Sequence, residues 1–479
     1  MRRILVLLLV AATSTQAKTF HHPGTAARGV KDRISIPDRL TLDQAESITL
    51  QQAPSVAAAN YNTQAAQQVV REVRSQFFPR VFGDITAVGT GNGIENAFGG
   101  SHEATRTIRL GATVGLSAST LLNHESNGIN INQLIFDFGR TPNLTAASKF
   151  EAMSNAEREQ LAKEQVLWQT DAAYFDVLKA QALLSVANQT VAARQIVYDD
   201  VAALAKNKLK SDLDVLYARG DLQRAQQLVL EANSALSIAN AELSRAMGLQ
   251  ENRVFVLAEE PLKQLPAESA DPLVARALQN RPDLIALRYR VESAGKFALA
   301  ERDARLPKLQ AFSSFGTTPV GDPGVEGNYV AAGINVELPL FTGGLLSSRQ
   351  NEAELRTKSQ QELLSDQQLE VVKNVNTAWF DATTALENVD LAKELASNAQ
   401  QALELAEAQY RSGETSIIEL SQAQLSALQA EIGAASAKFD YQIRLQRLAY
   451  ETGDIGVKFY SRQSQRPELG VSKGSQKHE

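Results

Sequence analysis

The chain carries one short stretch twice, first as Leu134-Ile135-Phe136-Asp137-Phe138-Gly139-Arg140 and again as Pro339-Leu340-Phe341-Thr342-Gly343-Gly344-Leu345. Each copy ends a run in which apolar and polar residues alternate, and each opens a long run rich in Ala, Gln and Glu. The first pattern is typical of a β-strand and the second of a helix. Each copy is therefore interpreted as a corner where a strand becomes a helix, with Phe136, Asp137, Gly139, Phe341, Gly343 and Gly344 as the corner residues.

The two corners belong to a long internal repeat. Phe136 and Phe341 are 205 residues apart, and the same offset relates Gly248 to Gly453. An offset held over more than a hundred residues predicts a duplicated unit, and a repeat determines the architecture before any other feature does.

A second offset, of 228 residues, relates prolines ahead of the corners: Pro54 to Pro282, and Pro79 to Pro307. Pro79 and Pro307 are expected to break the chain between a helix and a strand, because the residue before a proline avoids the α region. The change from 228 to 205 leaves 23 more residues between the strands of the first copy.

The repeat predicts six segments. They are a signal peptide at 1–17, an N-terminal segment at 18–40, a first repeat at 41–248, a linker at 249–270, a second repeat at 271–456 and a C-terminal tail at 457–479. Strands are expected at about 80–138 and about 308–341, and long packed helices at 54–76, 142–248, 282–305 and 346–453.

The first 17 residues have the pattern of a secretory signal. A charged start, Met1-Arg2-Arg3, precedes a short apolar core and a small-x-small site at Thr15-Gln16-Ala17. The apolar core is too short to span a membrane, so export is predicted. The alternative is a buried N-terminal helix.

The return strand of the second copy, expected at 329–341, alternates between apolar and polar residues. Ile334, Val336 and Leu338 fall on one face, while Asn335 and Glu337 fall on the other. A period of two with one apolar face is what a transmembrane β-strand shows. In the first copy Gln133 interrupts this pattern. A further alternating run at 108–117 could prolong a strand, form a capping hairpin or fold inward.

Four transmembrane strands per chain leave open sheet edges, and each unsatisfied backbone group in lipid costs several kcal/mol. About eight strands are the fewest that close a barrel. The chain is therefore expected to oligomerise, and two, three or four copies would each close the sheet.

The combination of motifs resembles the TolC family of outer-membrane efflux and secretion channels. The resemblance extends over about 40–456 and rests on Gln133-Leu134-Ile135-Phe136-Asp137-Phe138-Gly139-Arg140, Pro339-Leu340-Phe341-Thr342-Gly343-Gly344, Ala173-Tyr174-Phe175 and Leu213-Asp214-Val215-Leu216. It implies a mixed α and β, mainly helical fold. Three chains would form a twelve-stranded β-barrel in outer-membrane lipid above a periplasmic α-helical barrel.

The resemblance also implies a function and partners. The chain would be a passive exit duct of a tripartite efflux pump or a type I secretion system, opened by a periplasmic adaptor and an inner-membrane transporter. The alternative is a periplasmic coiled-coil scaffold or adhesin without a pore.

The resemblance implies a gate at the tips of the long helices. Glu419 would supply an acidic ring, and Gln422 stands one turn on, where family members can carry a second acid. Asp214 and Tyr410 match positions that can link helix pairs in the closed state, whereas Thr415 stands where some members have a basic partner. Alternatively, Asp214 and Glu419 are only helix-start acids favoured by the helix dipole.

Composition argues against other classes of function. There is no cysteine, so neither a disulfide framework nor a thiolate metal site is expected. The net charge of −6 gives no reason to expect nucleic-acid binding. No nucleophile–base pair or metal-ligand spacing is recognisable, so no enzyme activity and no cofactor are predicted. The pairs Tyr174-Phe175 and Trp379-Phe380 are interpreted as packing residues rather than substrate contacts.

Overall fold

The computed structural model describes residue 37 and residues 39–88, 124–266, 268–317 and 328–455. The expected signal peptide, nearly all of the N-terminal segment, the alternating run at 108–117 and the tail at 457–479 lie outside these residues. The helices are α1 Leu42–Gln52, α2 Pro54–Arg74, α3 Arg140–Lys206, α4 Asp212–Ala246, α5 Asp271–Asn280, α6 Pro282–Asp303, α7 Leu345–Ser412 and α8 Ile417–Glu451. The strands are β1 Arg80–Val88, β2 His124–Phe136, β3 Lys308–Thr317 and β4 Asn328–Glu337.

Two helices are much longer than the other described elements. Helix α3 has 67 residues and α7 has 68, which at 1.5 Å per residue is about 100 Å each. Helix α3 packs along both α2 and α4, and α7 packs along both α6 and α8. Each long helix is thus flanked by two shorter ones. These neighbours bury the apolar stripe, which a lone helix of this length would expose. Among the described helices, none is both long enough and apolar enough to cross a membrane.

Small apolar residues line the seam between α7 and its neighbours. Val371, Val375, Ala378 and Ala382 recur at spacings of four and three and are fully buried. Residues at these spacings share one helix face. They pack against Leu273, Ala277, Leu284 and Leu448 of the flanking helices.

The two corners have the same backbone. In the first, Phe138 has φ +52° and Gly139 has φ +108°; in the second, Gly343 has φ +59° and Gly344 has φ +84°. Each corner therefore turns through two successive left-handed residues. The left-handed region is costly for a residue with a Cβ, so Phe138 is the one strained position of the four.

The four strands form one antiparallel sheet in the order β1-β2-β3-β4. Arg80 lies opposite Asn132, Asn132 opposite Phe312, and Phe312 opposite Gly333. Since directly opposed residues share a face, the register separates a polar face from an apolar one. The polar face carries Arg80, Asn130, Asn132, Lys308, Gln310, Asn335 and Glu337, with Phe82, Leu134 and Phe312 among them, and the apolar face carries Val81, Ile129, Ile131, Phe315, Ile334 and Val336.

The register also explains why Gln133 interrupts the apolar face. Its side-chain Nε2 donates a 2.7 Å hydrogen bond to the Phe77 carbonyl oxygen, in the turn that ends the helix before β1. The polar side chain thus serves a backbone acceptor beside the sheet, which an apolar residue could not do.

The expected end of the return strand was wrong. Strand β4 ends at Glu337, four residues before Phe341, and Leu340 and Phe341 are 88% and 90% exposed. In the first repeat the chain stays in the sheet as far as Phe136 because β3 lies beside it. Strand β3 begins at Lys308, opposite Glu337, and the described chain has no strand on the other side of β4, so residues 338–341 have no neighbouring strand there.

The linker at 249–270 lies against the helices. Leu257 forms an isolated parallel bridge with Leu40, and the Tyr174 hydroxyl lies within hydrogen-bonding distance of the Leu40 and Ala258 carbonyl oxygens. Tyr174 and Phe175 are buried, which fits the packing interpretation. Of their repeat equivalents, Trp379 is partly buried and packs against the core, whereas Phe380 is 61% exposed and does not fit that interpretation.

Candidate functional site at the helix tips

Two tips stand at the ends of the long helices, far from the sheet. The first joins α3 to α4 and the second joins α7 to α8. Lys208 in the first has φ +58° and Gly413 in the second has φ +81°, again 205 residues apart. The repeat thus places the same turn at both tips.

Each tip opens its return helix with a capping box. At the first, the Ser211 hydroxyl accepts from the Asp214 N–H at 3.2 Å, and the Asp214 carboxylate accepts from the Ser211 N–H at 3.2 Å. At the second, Ser416 and Glu419 exchange the equivalent bonds at 3.2 and 3.0 Å. These bonds satisfy N–H groups that a helix start otherwise leaves unpaired. Both gate candidates therefore have a local structural role.

Glu419 is also held in its charged form. The Thr415 hydroxyl donates to its carboxylate, and the Ser416 backbone N–H and hydroxyl add further bonds. These contacts lower the pKa of Glu419 below its ordinary value. Thr415, where a basic partner was considered, thus stabilises the carboxylate as a hydrogen-bond donor. The carboxylate is at the surface, as an acidic ring would require, and so is Gln422 one turn on.

Tyr410 is buried among apolar residues where the two tips meet. It is 4% exposed and packs with Val201, Ala218, Ile417 and Leu420. Its hydroxyl has no hydrogen-bond partner among the described residues. Burial, with a smaller contribution from the charge of Asp214, raises the pKa of Tyr410 to about 12. Asp214 is therefore close to Tyr410, but the described chain contains no hydrogen bond between the two side chains.

Lys210 makes the direct contact between the tips, and sequence reasoning missed it. Its Nζ lies 3.9 Å from the ring centroid of Tyr410 and donates a 3.1 Å hydrogen bond to the Tyr410 carbonyl oxygen. Lysine above an aromatic face is a favourable cation–π arrangement. The available signal was the repeat itself, since Lys210 is the equivalent of Thr415.

A second set of polar contacts, farther along the helices, joins the two helical hairpins, α3–α4 and α7–α8. The Ser421 hydroxyl donates to the Asp221 carboxylate at 2.5 Å, which connects α8 to α4. The buried Arg194 side chain donates to the Gln424 carbonyl oxygen at 3.0 Å, which connects α3 to α8. Burial lowers the pKa of Arg194, and the charge of Asp221 partly opposes this. These contacts link the first repeat to the second within one chain.

The corner residues and breaks lie at the other end of the long helices. The Asp137 carboxylate accepts a 2.7 Å hydrogen bond from the Thr141 N–H and so caps α3. The Phe136 and Phe138 rings meet edge to face at 4.8 Å. Pro79 and Pro307 stand directly before β1 and β3. These residues shape the junction between sheet and helices, and none of them lies at the tips.

The described residues contain no group of His, Asp and Glu side chains that could hold a metal ion. The tips therefore offer charge, hydrogen bonds and packing between hairpins. Such contacts can hold two helix pairs together and can be broken without covalent chemistry.

Known proteins resemble this chain in sequence and in fold. BepC, an outer membrane efflux protein of Brucella suis, is 26% identical over 339 residues, which are 68% of this chain and 71% of BepC. The outer membrane protein TolC of Salmonella enteritidis is 22% identical over 88% of this chain and 85% of its own length. A crystal structure of CusC superposes with a TM-score of 0.73 at 18% identity, covering 86% of this chain and 92% of that one.

The model of the family described as outer membrane efflux protein matches residues 46–249 and 273–454. These two ranges coincide with the two structural repeats and leave out most of the linker between them. The chain belongs to the outer membrane efflux protein family.

Proposed function

We propose that three copies of this chain form a passive exit duct that runs from the outer membrane into the periplasm. Members of the family are transport channels rather than enzymes. They are homotrimers that dock a periplasmic adaptor and an inner-membrane transporter. Energy for transport then comes from the inner-membrane partner, and this chain supplies the path.

The observation that carries the proposal is the sheet. It has an exposed apolar face and a polar face, and among the described residues its two outer strands each have one unpaired edge. An apolar face suits lipid and a polar face suits a water-filled channel. Unpaired edges are not tolerated in lipid, so neighbouring copies must cover them.

The internal repeat indicates the register between copies. Within one chain, Gln133 of β2 lies opposite Ala311 of β3. Applying the offsets of 205 and 228 residues to this pair places Leu338 opposite Gly83 of the next copy. The segment 338–341, which lacks a partner in the single chain, then continues β4 beside the neighbouring β1.

Gating belongs to the tips. Three copies of Glu419 form an acidic ring at the periplasmic mouth, with Gln422 rather than a second acid one turn away. Opening separates the hairpins and breaks the Lys210–Tyr410 and Ser421–Asp221 contacts. Docking partners drive it by binding the open arrangement more tightly than the closed one. Asp214 contributes through its charge near Tyr410 and through its capping box.

The duct serves one of two kinds of machine, an efflux pump or a protein secretion system. BepC is an efflux protein by its name, whereas AprF of Pseudomonas aeruginosa, 23% identical over 52% of this chain, is an alkaline protease secretion protein. A scaffold or adhesin without a pore has no need of an exposed apolar sheet face. Family membership also gives that alternative no support.

Conductance of the purified full-length chain in planar bilayers tests the proposal. We expect discrete, long-lived current steps from a detergent-stable trimer. Substitutions at two adjacent positions control for each other. Ile334→Arg, on the apolar face, should abolish insertion, because an arginine facing lipid costs about 2–4 kcal/mol at the midplane. Asn335→Arg, on the polar face, should insert and conduct. Absence of any current step from a correctly folded trimer would contradict the duct.

A further inference from the structure

A cavity of about 830 Å³ lies where the sheet meets the helices. On the sheet side its walls are residues of the polar face, including Arg80, Asn132, Lys308 and Gln310. On the helix side they come from the first corner and from α6 and α7, including Asp303 and Arg349. In the proposed duct this cavity opens into the channel where the barrel joins the tunnel, and it occurs three times.

Cations outnumber available carboxylates in this cavity. Its positive groups are Arg80, Arg140, Lys308 and Arg349. Two of its three carboxylates are buried and already used. Asp303 is 4% exposed, forms an ion pair with Arg302 at 2.9 Å and accepts from the Asn143 amide at 2.8 Å.

Asp137 is the second carboxylate in use, because it is 8% exposed and accepts the capping bond from the Thr141 N–H. Glu337 is the third, and it is exposed. The cavity therefore offers a solute one free carboxylate and several cationic groups. Its local field favours an anion.

The cations have no partners of their own in the described part of the chain. There the side chains of Arg80, Lys308 and Arg349 make neither a hydrogen bond nor an ion pair, and the Nε of Arg140 is buried without an acceptor. The Arg140 Nε is a buried donor, and a buried donor left unpaired costs free energy. Arg80 and Arg349 are exposed and Lys308 is half-buried, so their charges are accessible to a ligand with several acceptor oxygens.

We propose that this cavity binds the carboxylate or phosphate groups of anionic solutes in transit, and that the duct therefore selects anionic cargo at the barrel–tunnel junction. The inference rests on the proposed function. Guanidinium groups match such oxyanions because their N–H donors form a planar fork. The neutral amides of Gln76, Asn132 and Gln310, which also line the cavity, add donors without adding charge.

The site is distinct from the acidic ring at the tips, which stands at the opposite end of helices about 100 Å long. Charges that far apart are screened from each other at physiological salt, where the Debye length is about 8 Å. Cargo selection at the junction therefore does not depend on the charge of Glu419.

The test is block of single-channel current by inorganic tripolyphosphate, added to each side of the bilayer in turn. Wild-type trimers should be blocked, and the variant Arg80→Gln/Lys308→Gln/Arg349→Gln should need a roughly tenfold higher half-blocking concentration or more. Arg245→Gln/Arg253→Gln/Lys263→Gln removes the same number of cations around the linker and should leave the block unchanged. Glu337→Gln removes the exposed carboxylate of the cavity and should strengthen the block.

The outcomes distinguish failure of the anion site from failure of the duct. Channels that conduct but show no block, or the same block in the first triple variant, overturn the anion site and leave the duct intact. A shift of the same size in the linker variant also overturns it, because the effect would then come from overall charge. A folded trimer that forms no channel overturns the duct, and the anion site with it.

Discussion

The Nζ of Lys210 lies 3.9 Å from the ring centroid of Tyr410 and donates to the Tyr410 carbonyl oxygen, so one residue of the first repeat holds the end of α7 in the second. Two hundred residues of chain separate the two positions. A contact of this kind restrains the hairpins relative to each other, and its loss should favour their separation.

Lys210→Gln should therefore raise the open probability of reconstituted channels. A partly desolvated cation–π contact and one hydrogen bond are together worth about 1–2 kcal/mol, which corresponds to roughly a five- to thirtyfold change in the open–closed equilibrium. Lys206→Gln removes the same charge four residues earlier, at an exposed end of α3, and should change gating little. Equal effects of the two variants would assign the result to tip charge rather than to the Tyr410 contact.

Tyr410→Phe should leave gating almost unchanged. The hydroxyl has no hydrogen-bond partner within the described chain, so its removal breaks no bond and the ring continues to accept Lys210. Tyr410→Ala should open the channel, because it removes the ring from a buried cluster and truncating a buried aromatic side chain costs about 3–5 kcal/mol. Conductance traces of the two variants distinguish the models. Strong opening by Tyr410→Phe would show that the hydroxyl bonds a partner across the trimer, with Asp214 of a neighbouring copy as the first candidate.

The sequence predicted the features that depend on local backbone. The corners, the proline breaks and the glycines at 248 and 453 all follow from residues with restricted or unusual φ, and these recur at fixed offsets. The capping boxes at Ser211 and Ser416 also depend on local backbone, and they agree with the alternative interpretation of Asp214 and Glu419 as helix-start acids.

Contacts between hairpins were not predictable in this way. Lys210–Tyr410, Ser421–Asp221 and Arg194–Gln424 join positions about two hundred residues apart, and they depend on how each long helix is rotated about its axis. Alternation and capping motifs carry no information about that rotation. The early end of β4 has a related cause, because pairing at an edge is decided by a strand that another copy supplies.

Glu164 should make stability depend on pH. Burial raises the pKa of this carboxyl from its ordinary 4.5 to about 8, with a hydrogen bond from Gln160 and the charge of Arg281 lowering it and Asp283 and Glu157 raising it. The folded state thus holds the proton more tightly than the unfolded state. Its contribution to stability is complete below pH 4.5 and falls as the pH rises towards 8. Glu164→Gln should therefore raise the free energy of unfolding at pH 8 by up to about 4 kcal/mol per chain, and the thermal unfolding midpoint with it, and change little at pH 4.5.

Glu159, five residues earlier on α3, is the matched control. Burial acts to raise its pKa, but hydrogen bonds from Lys163 and Asn60 outweigh burial and lower it. This carboxylate stabilises the fold above its unfolded pKa, so Glu159→Gln should lower the midpoint at pH 8. Differential scanning fluorimetry at pH 4.5 and at pH 8 measures the unfolding midpoints of both variants. A Glu164→Gln variant that is less stable than wild type at pH 8 would show that the charged carboxylate stabilises the fold despite its burial.

The register between copies should be detectable by cysteine cross-linking, and the chain has no cysteine of its own to interfere. Gly83→Cys combined with Leu338→Cys should give a covalent trimer on mild oxidation, because directly opposed residues in antiparallel strands lie about 4.5–5.5 Å apart and a disulfide spans that distance. A Cβ added at Gly83 would meet nothing within 4 Å, so the substitution fits the fold. Gly83→Cys combined with Ile334→Cys displaces one partner by four residues, or roughly 13 Å along the strand, and should not cross-link. A covalent trimer from the displaced pair and none from the first would show that the two halves of the repeat meet their neighbours in different registers.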